Sequence, residues 1–394
     1  MPDYATINSV AAADIATING VAKASVATVS GAATPASGQT ATRWVAAHDG
    51  AGSDWYISYA GHDDRTSWTG TTVDSTDPDT YWLCLGKDGS GGSLWAAVTS
   101  SAAMEITHDG NNDVTDGSTW TKVTDDSAGN DLEKCFTIAW GNNVWVAAGI
   151  VGSAKEVYRS TDGASWAPID VSGVSGIGTQ TIYGLASDGA GTWVFGQSNK
   201  IFVSTDNAST WAEMTSYPGT AVADVGFTNS TWVILGAASP GNVNTVSAAA
   251  LATEMGGGSA ASWGEQNVDA GGGNTINVGQ SGGTRSRMAC GAGVVIVAHT
   301  RNTMAFDVDG STIAVRASGK VGIGSGDVIG GTVNCIATDG QGVWLAGSDG
   351  ASGDGGGIAQ SLDNGATWTE IVNNFTYNGD RKFEAIRANV YLPV

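Results

Sequence analysis

The 394-residue sequence predicts an all-β fold, on its composition and on two recurring elements that share one period. Gly, Thr, Ser, Asp, Val and Trp dominate, where a helical domain would be rich in Glu, Lys, Leu and Ala. Gly reaches 58 with only 7 Pro and no Gly-X-Y period, which excludes collagen, and 41% hydrophobic residues argue against wholesale disorder. The first element reads turn, aromatic, small apolar residues. Its copies are anchored at Trp55, Trp95, Trp145, Trp193, Trp232, a degenerate Val294 and Trp344, on average about 48 residues apart.

A second element follows each copy of the first. Its fullest form is Ser361-Leu362-Asp363-Asn364-Gly365-Ala366-Thr367-Trp368. Ser204 to Trp211, with Asp206, differs from the motif only by Ala208 for Gly, and Ser160-Thr161-Asp162-Gly163-Ala164-Ser165-Trp166 is one residue shorter. Looser copies end at Trp68, Trp120 and Trp263, and the missing copy belongs near Asp309-Gly310-Ser311-Thr312. An apolar stretch precedes each turn-aromatic element and often runs into Asp-Gly, as at Arg43-Trp44-Val45-Ala46 before Asp49-Gly50. Asp-Gly between alternating apolar runs signals a hairpin, because Gly accepts the positive φ of primed turns. Each unit thus reads strand, Asp-Gly turn, strand, third strand, Asp-rich turn, Trp-bearing fourth strand.

Seven such units at this period predict a seven-bladed β-propeller of four-stranded blades over residues 41–394, with an extended N-terminal arm at 1–40. Ser-x-Asp-x-Gly-x-Thr-Trp resembles the Asp-box, the bacterial neuraminidase repeat of sialidase-like propellers. In that motif Ser and Asp satisfy turn amides and Trp packs between blades. The resemblance therefore implies structural roles for Ser160, Asp162, Trp166, Ser204, Asp206, Trp211, Ser361, Asp363, Gly365 and Trp368. At the far end, residues 381–392 alternate like a further first strand, and their expected place is against the first blade, closing the ring.

Residues 5–37 carry a different repeat, of period 11. Ala5-Thr6-Ile7-Asn8-Ser9-Val10 returns as Ala16-Thr17-Ile18-Asn19-Gly20-Val21 and more weakly from Ala27. β-Branched residues and Asn19-Gly20 favour short extended pieces with turns over a helix. A segment of Ala, Thr, Val and Ile with almost no aromatic residue makes no core of its own and needs a partner to order it. It is similar to the Ile-Asn-Gly-Val repeats at the amino ends of tail and surface proteins of marine bacteriophages. That resemblance implies a virion component that docks on other virion proteins through residues 1–40.

The candidate chemistry is sparse. A sialidase clamps its substrate carboxylate with three arginines, and none of Arg43, Arg65, Arg159, Arg285, Arg287, Arg301, Arg316, Arg381 and Arg387 sits in that family's Phe-Arg-Ile-Pro context. No catalytic residue, cofactor or metal site is assigned, and the expectation is that the chain is not an enzyme. Asp109, Asn111 and Asp113 place oxygens at alternate positions as calcium loops do, but the sixth-position Gly and closing Glu are missing. His48, His62, His108 and His299 read as surface or turn residues. Gly256-Gly257-Gly258 and Gly355-Gly356-Gly357 read as loops, and Cys84, Cys135, Cys290 and Cys335 as buried free thiols.

A formal charge of −21 disfavours a nucleic-acid partner, and no apolar run is long enough to cross a membrane. The opening residues carry no basic and apolar export signal, so none is expected. The resulting expectation is a non-enzymatic virion structural protein, a tail fibre or adhesin-type component in a larger assembly. It would mediate host attachment through a host-surface glycan or another partner held by propeller loops. Capsid decoration is the runner-up, and a glycan-processing hydrolase the third class.

Overall fold

The chain is described here from a computed structural model. It describes the short strands at 6–7, 10–11, 17–18, 21–22, 28–29 and 32–33. Beyond them it describes residues 43–49, 55–61, 64–74, 79–100, 104–109, 120–123, 125–127, 135–149, 157–219, 221–237, 241–268, 288–299, 302–320, 332–348, 356–375 and 382–388. Two compact units result, Met1–Ala41 and Thr42–Val394. The first holds three hairpins of two-residue strands at the 11-residue period, with Thr6 opposite Ala11, Thr17 opposite Ala22 and Thr28 opposite Ala33.

The second unit contains seven four-stranded antiparallel sheets among the described residues. Sheet I joins Lys382–Ala388, Arg43–Asp49, Trp55–Gly61 and Thr69–Asp74. Sheet II is Asp79–Lys87, Ser93–Ser100, Met104–Asp109 and Trp120–Val123. Sheet III is Cys135–Gly141, Val144–Gly149, Val157–Ser160 and Ala167–Ile169. Sheet IV is Ile182–Ser187, Trp193–Gln197, Lys200–Ser204 and Ala212–Glu213. Sheet V is Val222–Thr228, Thr231–Gly236, Asn242–Ser247 and Gly264–Asn267, with the helix Ala248–Met255 between its last two strands. Sheet VI is Met288–Gly291, Val294–His299, Asn302–Asp309 and Thr312–Lys320. Sheet VII is Val333–Thr338, Trp344–Ser348, Gly356–Ser361 and Thr369–Phe375.

The first strand of each sheet packs against the first strands of its two neighbours. Lys382–Ala388 meets both Val333–Thr338 and Asp79–Lys87, so the circle closes. This is a β-propeller with four-stranded blades, in which the free sheet edges at the rim are the outer strands of the blades.

The first blade, sheet I, differs from its sequence reading. Arg43–Asp49 is a second strand, because Lys382–Ala388 takes the first-strand place beside it. The equivalent of Trp95 and Trp145 in sheet I is therefore Trp44, and Trp55 opens a third strand. Counted from Trp44, the spacing to Trp68 equals that from Trp344 to Trp368, whereas Trp68 lies only 13 residues after the anchor Trp55.

Each gap between neighbouring sheets holds one apolar cluster. Trp166 fills the gap between II and III with Trp82, Trp145 and Tyr158. Trp211 does so between III and IV, Trp120 between I and II, and Trp368 borders the cluster between VI and VII. The gap between V and VI has no tryptophan and is filled by Phe306, Val308 and Ile313. That is the sheet whose motif has lost its Trp.

The hairpin turns also depart from expectation. Primed two-residue turns, with both central residues at positive φ, occur at Asn142-Asn143, Asn229-Ser230 and Ala292-Gly293. The Asp-Gly sites form longer loops in which the carboxylate bonds amides. Asp188 Oδ1 accepts from the N–H of Ala190 and Thr192, and Asp339 Oδ1 from those of Gln341 and Val343. Two further readings are corrected. Gly356 and Gly357 lie in a third strand, not a loop. His48 is fully buried, bonded to Ser58 and tilted against Phe383, because a second strand replaces the expected surface position. The side chains of His62, His108 and His299, and the candidate calcium loop from Asp109 to Asp113, lie outside the described residues.

Candidate functional site

The residues singled out by the motif sit at the outer turns between third and fourth strands. Ser160 Oγ accepts from the N–H of Gly163 at 2.8 Å, and Asp162 Oδ1 from those of Ala164 at 2.9 Å and Ser165 at 2.8 Å. Trp166 Nε1 donates back to Gly163 O. In sheet IV, Ser204 Oγ accepts from Ala208 N, and Asp206 from Ser209 N, Thr210 N and Thr210 Oγ1. In sheet VII, Ser361 Oγ accepts from Gly365 N at 2.8 Å and Asp363 from Thr367 N at 2.8 Å and Thr367 Oγ1 at 2.6 Å. Gly365 needs to be glycine, since its φ is 85° and an added Cβ would come within 2.6 Å of Ile296 Cδ1.

These bonds leave a signature in the carboxyls. Burial works to raise Asp162, Asp206 and Asp363, yet the combined hydroxyl and amide donors outweigh it and hold each below the usual aspartate value. The three turns share this geometry and do not converge on one another. None of their residues lines the cavity described next.

That cavity lies on the axis, where the first strands of all seven sheets meet, and encloses about 540 Å³. Register explains its existence. The residue following the second-strand tryptophan (Ile296 in sheet VI, where register puts Val295, one residue past the expected Val294, in the Trp place) is paired in turn with Cys84, Ala139, Ala186, Gly226, Ala289, Ala337 and Arg387. Six of the seven are small, so this layer of the ring leaves a void, and all seven line it. Arg387 alone fills part of it.

The Arg387 guanidinium lies 5.2 Å over the Trp82 ring and donates one hydrogen bond, to Ile386 O at 3.1 Å. Burial lowers its pKa, against the pull of Cys84, Asp224 and Cys335. Asp224 enters from sheet V, three steps from sheet I around the ring, and its Oδ1 accepts from Val225 N at 2.8 Å. Burial pushes the Cys84 thiol up to about 12 despite Arg387, and burial with the Asp224 charge raises Cys290 further. Both stay protonated and are poor nucleophiles or metal ligands at neutral pH. All four cysteines are free.

Leu85, Ile138, Trp140, Leu185, Phe227 and Met288 supply an apolar wall, and Ser187, Thr228 and Thr338 add hydroxyls. Hairpin-turn residues Asn229, Gly293 and Gly340 border it at one end. Among the described residues no group of three or more His, Cys, Asp or Glu could hold a metal, and no helix is long and apolar enough to cross a membrane. Sequence reasoning missed this site because Arg387 and Asp224 lie in unrelated segments. The signal that could have found them is the small residue recurring in every first strand, which only Arg387 breaks.

No protein-family profile matches the chain, and no curated protein matches it in sequence. Solved structures do. A protein from Lactobacillus plantarum is 11% identical with a TM-score of 0.60, over 89% of this chain and 99% of its own. A candidate 6-phosphogluconolactonase from Bacteroides uniformis is 11% identical at TM-score 0.57, over 89% and 100%. A second, from Bacteroides fragilis, is 11% identical at 0.53, over 90% and 99%.

The fold is a β-propeller. At this identity the likeness speaks for the fold alone. The expectation that the chain is not an enzyme is nevertheless corrected. Propellers of the same shape carry enzyme descriptions, and missing arginine contexts exclude one family's chemistry without excluding catalysis.

Proposed function

We propose that the chain is a recognition component of a bacteriophage particle, a tail fibre or adhesin-type protein. In this reading a seven-bladed ring presents its loops to a partner or surface glycan, and residues 1–40 dock on other virion proteins. The observation that supports it is the division into two units of different construction. The first unit repeats one small hairpin three times, Thr6 to Ala11, Thr17 to Ala22 and Thr28 to Ala33, with no residue larger than Ile at the paired positions. Three such small modules cannot bury a core of their own, and they suit addition to a partner's surface. The second unit is a closed ring whose outer turns are tied by side chains, a rigid frame for loops. An acidic chain with a charge of −21 would keep such a disc soluble and apart from anionic surfaces unless cations bridge them.

Cryo-electron microscopy of the particle that carries the chain tests this reading. The expected result is disc-shaped density at a tail tip or fibre, with residues 1–40 running into a neighbouring protein. Density on capsid lattice points would replace the tail role with decoration. A chain found free of any particle would overturn the reading, and turnover of a glycan in a binding screen would move it to the glycan-processing class.

A further inference from the structure

We propose that the axial cavity binds a small apolar zwitterion, a molecule of the α-amino acid type. Its carboxylate would meet Arg387, its ammonium Asp224, and its side chain the apolar wall around Trp140 and Leu185. This inference is independent of the docking arm and the outer loops.

Three observations carry it. A guanidinium offers five N–H donors in a planar fork suited to a carboxylate, and Arg387 spends one of them, on the carbonyl of its own neighbour Ile386. Trp82 covers one face of the fork and holds it in place without consuming its donors. Second, Arg387 and Asp224 line the same cavity and attract one another, but among the described residues Arg387 closes no salt bridge within 4.0 Å. The space between them is thus bounded by a positive group on one side and a negative one on the other. A net anion is repelled by Asp224 and a net cation by Arg387, whereas a molecule bearing both charges is attracted by each wall.

Third, the remaining lining is mainly hydrocarbon, sulfur and aromatic, with hydroxyls from Ser187, Thr228 and Thr338, and the volume of about 540 Å³ lies in the range of small-molecule sites. The void is built by the fold. Six small residues in one layer, each on a different sheet, keep the axis open where larger side chains would fill it. At one end the cavity is bordered by Asn229, Gly293 and Gly340, turn and loop residues with positive φ, in place of bulky strand side chains.

The test is isothermal titration calorimetry on the full chain with L-leucine, L-methionine, L-phenylalanine and L-tryptophan. N-acetyl-L-phenylalanine and phenethylamine serve as probes lacking one charge each. At least one amino acid should bind, and L-phenylalanine should exceed both of its one-charge analogues by roughly tenfold or more. Arg387→Met should abolish that binding. Asp224→Asn should weaken L-phenylalanine while leaving N-acetyl-L-phenylalanine unchanged or improved, an opposite response that a collapsed cavity would not give. Three outcomes overturn the proposal: no heat from any of the four amino acids, equal affinity for L-phenylalanine and either analogue, or undiminished binding in a folded Arg387→Met.

Discussion

Sheets III, IV and VII connect their third and fourth strands through a turn built by side chains, whereas V and VI make the same connection in two other ways. Sheet V inserts the helix Ala248–Met255, capped by Ser247 Oγ accepting from Ala250 N at 3.1 Å and anchored by buried Leu251. Its Trp263 donates to Ser216 Oγ and stacks edge-on with Tyr217. Sheet VI uses a two-residue hairpin, Gly310-Ser311, between Asp309 and Thr312, with Gly310 N bonded to Thr231 Oγ1 of sheet V. In III, IV and VII the carboxylate, hydroxyl and indole do the work within one short segment. In V and VI the helix backbone or a neighbouring sheet does it. The ring needs a fourth strand and a filled gap, and it accepts any local solution that supplies both.

The largest expected effect tests whether the gap or the turn matters more. Trp166→Ala removes a fully buried indole shared by sheets II and III and should cost about 3–5 kcal/mol in denaturant unfolding. Trp263→Ala, at a partly buried position, should cost clearly less. Equal losses would break the comparison, since the helix would then depend on its tryptophan as much as the turn does.

Next, Asp363→Ala leaves the Thr367 amide without its acceptor and should cost ~1–3 kcal/mol, measured as a shift in unfolding midpoint. Asp309→Ala, at the corresponding corner of sheet VI, should stay within about 0.5 kcal/mol because that exposed carboxylate is not the hairpin's scaffold. Smaller again, Ser247→Ala deletes the helix cap and should cost about 1 kcal/mol.

The smallest effect is in pH. Asp162, Asp206 and Asp363 are held below 3.8 in the folded chain, so the unfolded chain takes up protons first as pH falls. Their stabilisation is complete above that value and is lost as pH drops below it toward the folded values. Melting temperature should therefore fall below about pH 4, and less steeply in Asp363→Ala. An unchanged slope in that variant would mean the turn carboxylates contribute nothing.

Much of the fold was legible because its signals are local. The hydroxyl of Ser361, the carboxylate of Asp363 and the amides they bind lie within one turn, so residue types and spacing report them directly. The same locality made Asn142-Asn143 and Ala292-Gly293 readable as turns. Failures came where a partner is distant. Trp55 and Trp44 both sit in apolar runs, and only the pairing of Lys382–Ala388 with Arg43–Asp49 shows which opens the second strand. His48 looked like a turn residue until that pairing buried it against Phe383.

The sequence by itself determined the strand content, the repeating unit, the side-chain-tied turns at Ser160, Ser204 and Ser361, and the tryptophans that fill most of the gaps. The reason is that a repeat encodes the same local bonds and the same buried face each time. Only the tertiary structure decided which apolar run is the second strand of the first blade and what stands on the ring's axis. Cys84, Ala139, Ala186, Gly226, Ala289, Ala337 and Arg387 come from seven separate strands. Nothing local distinguishes them as one layer, and it is strand register around the closed ring that brings Arg387 and Asp224 to the same cavity.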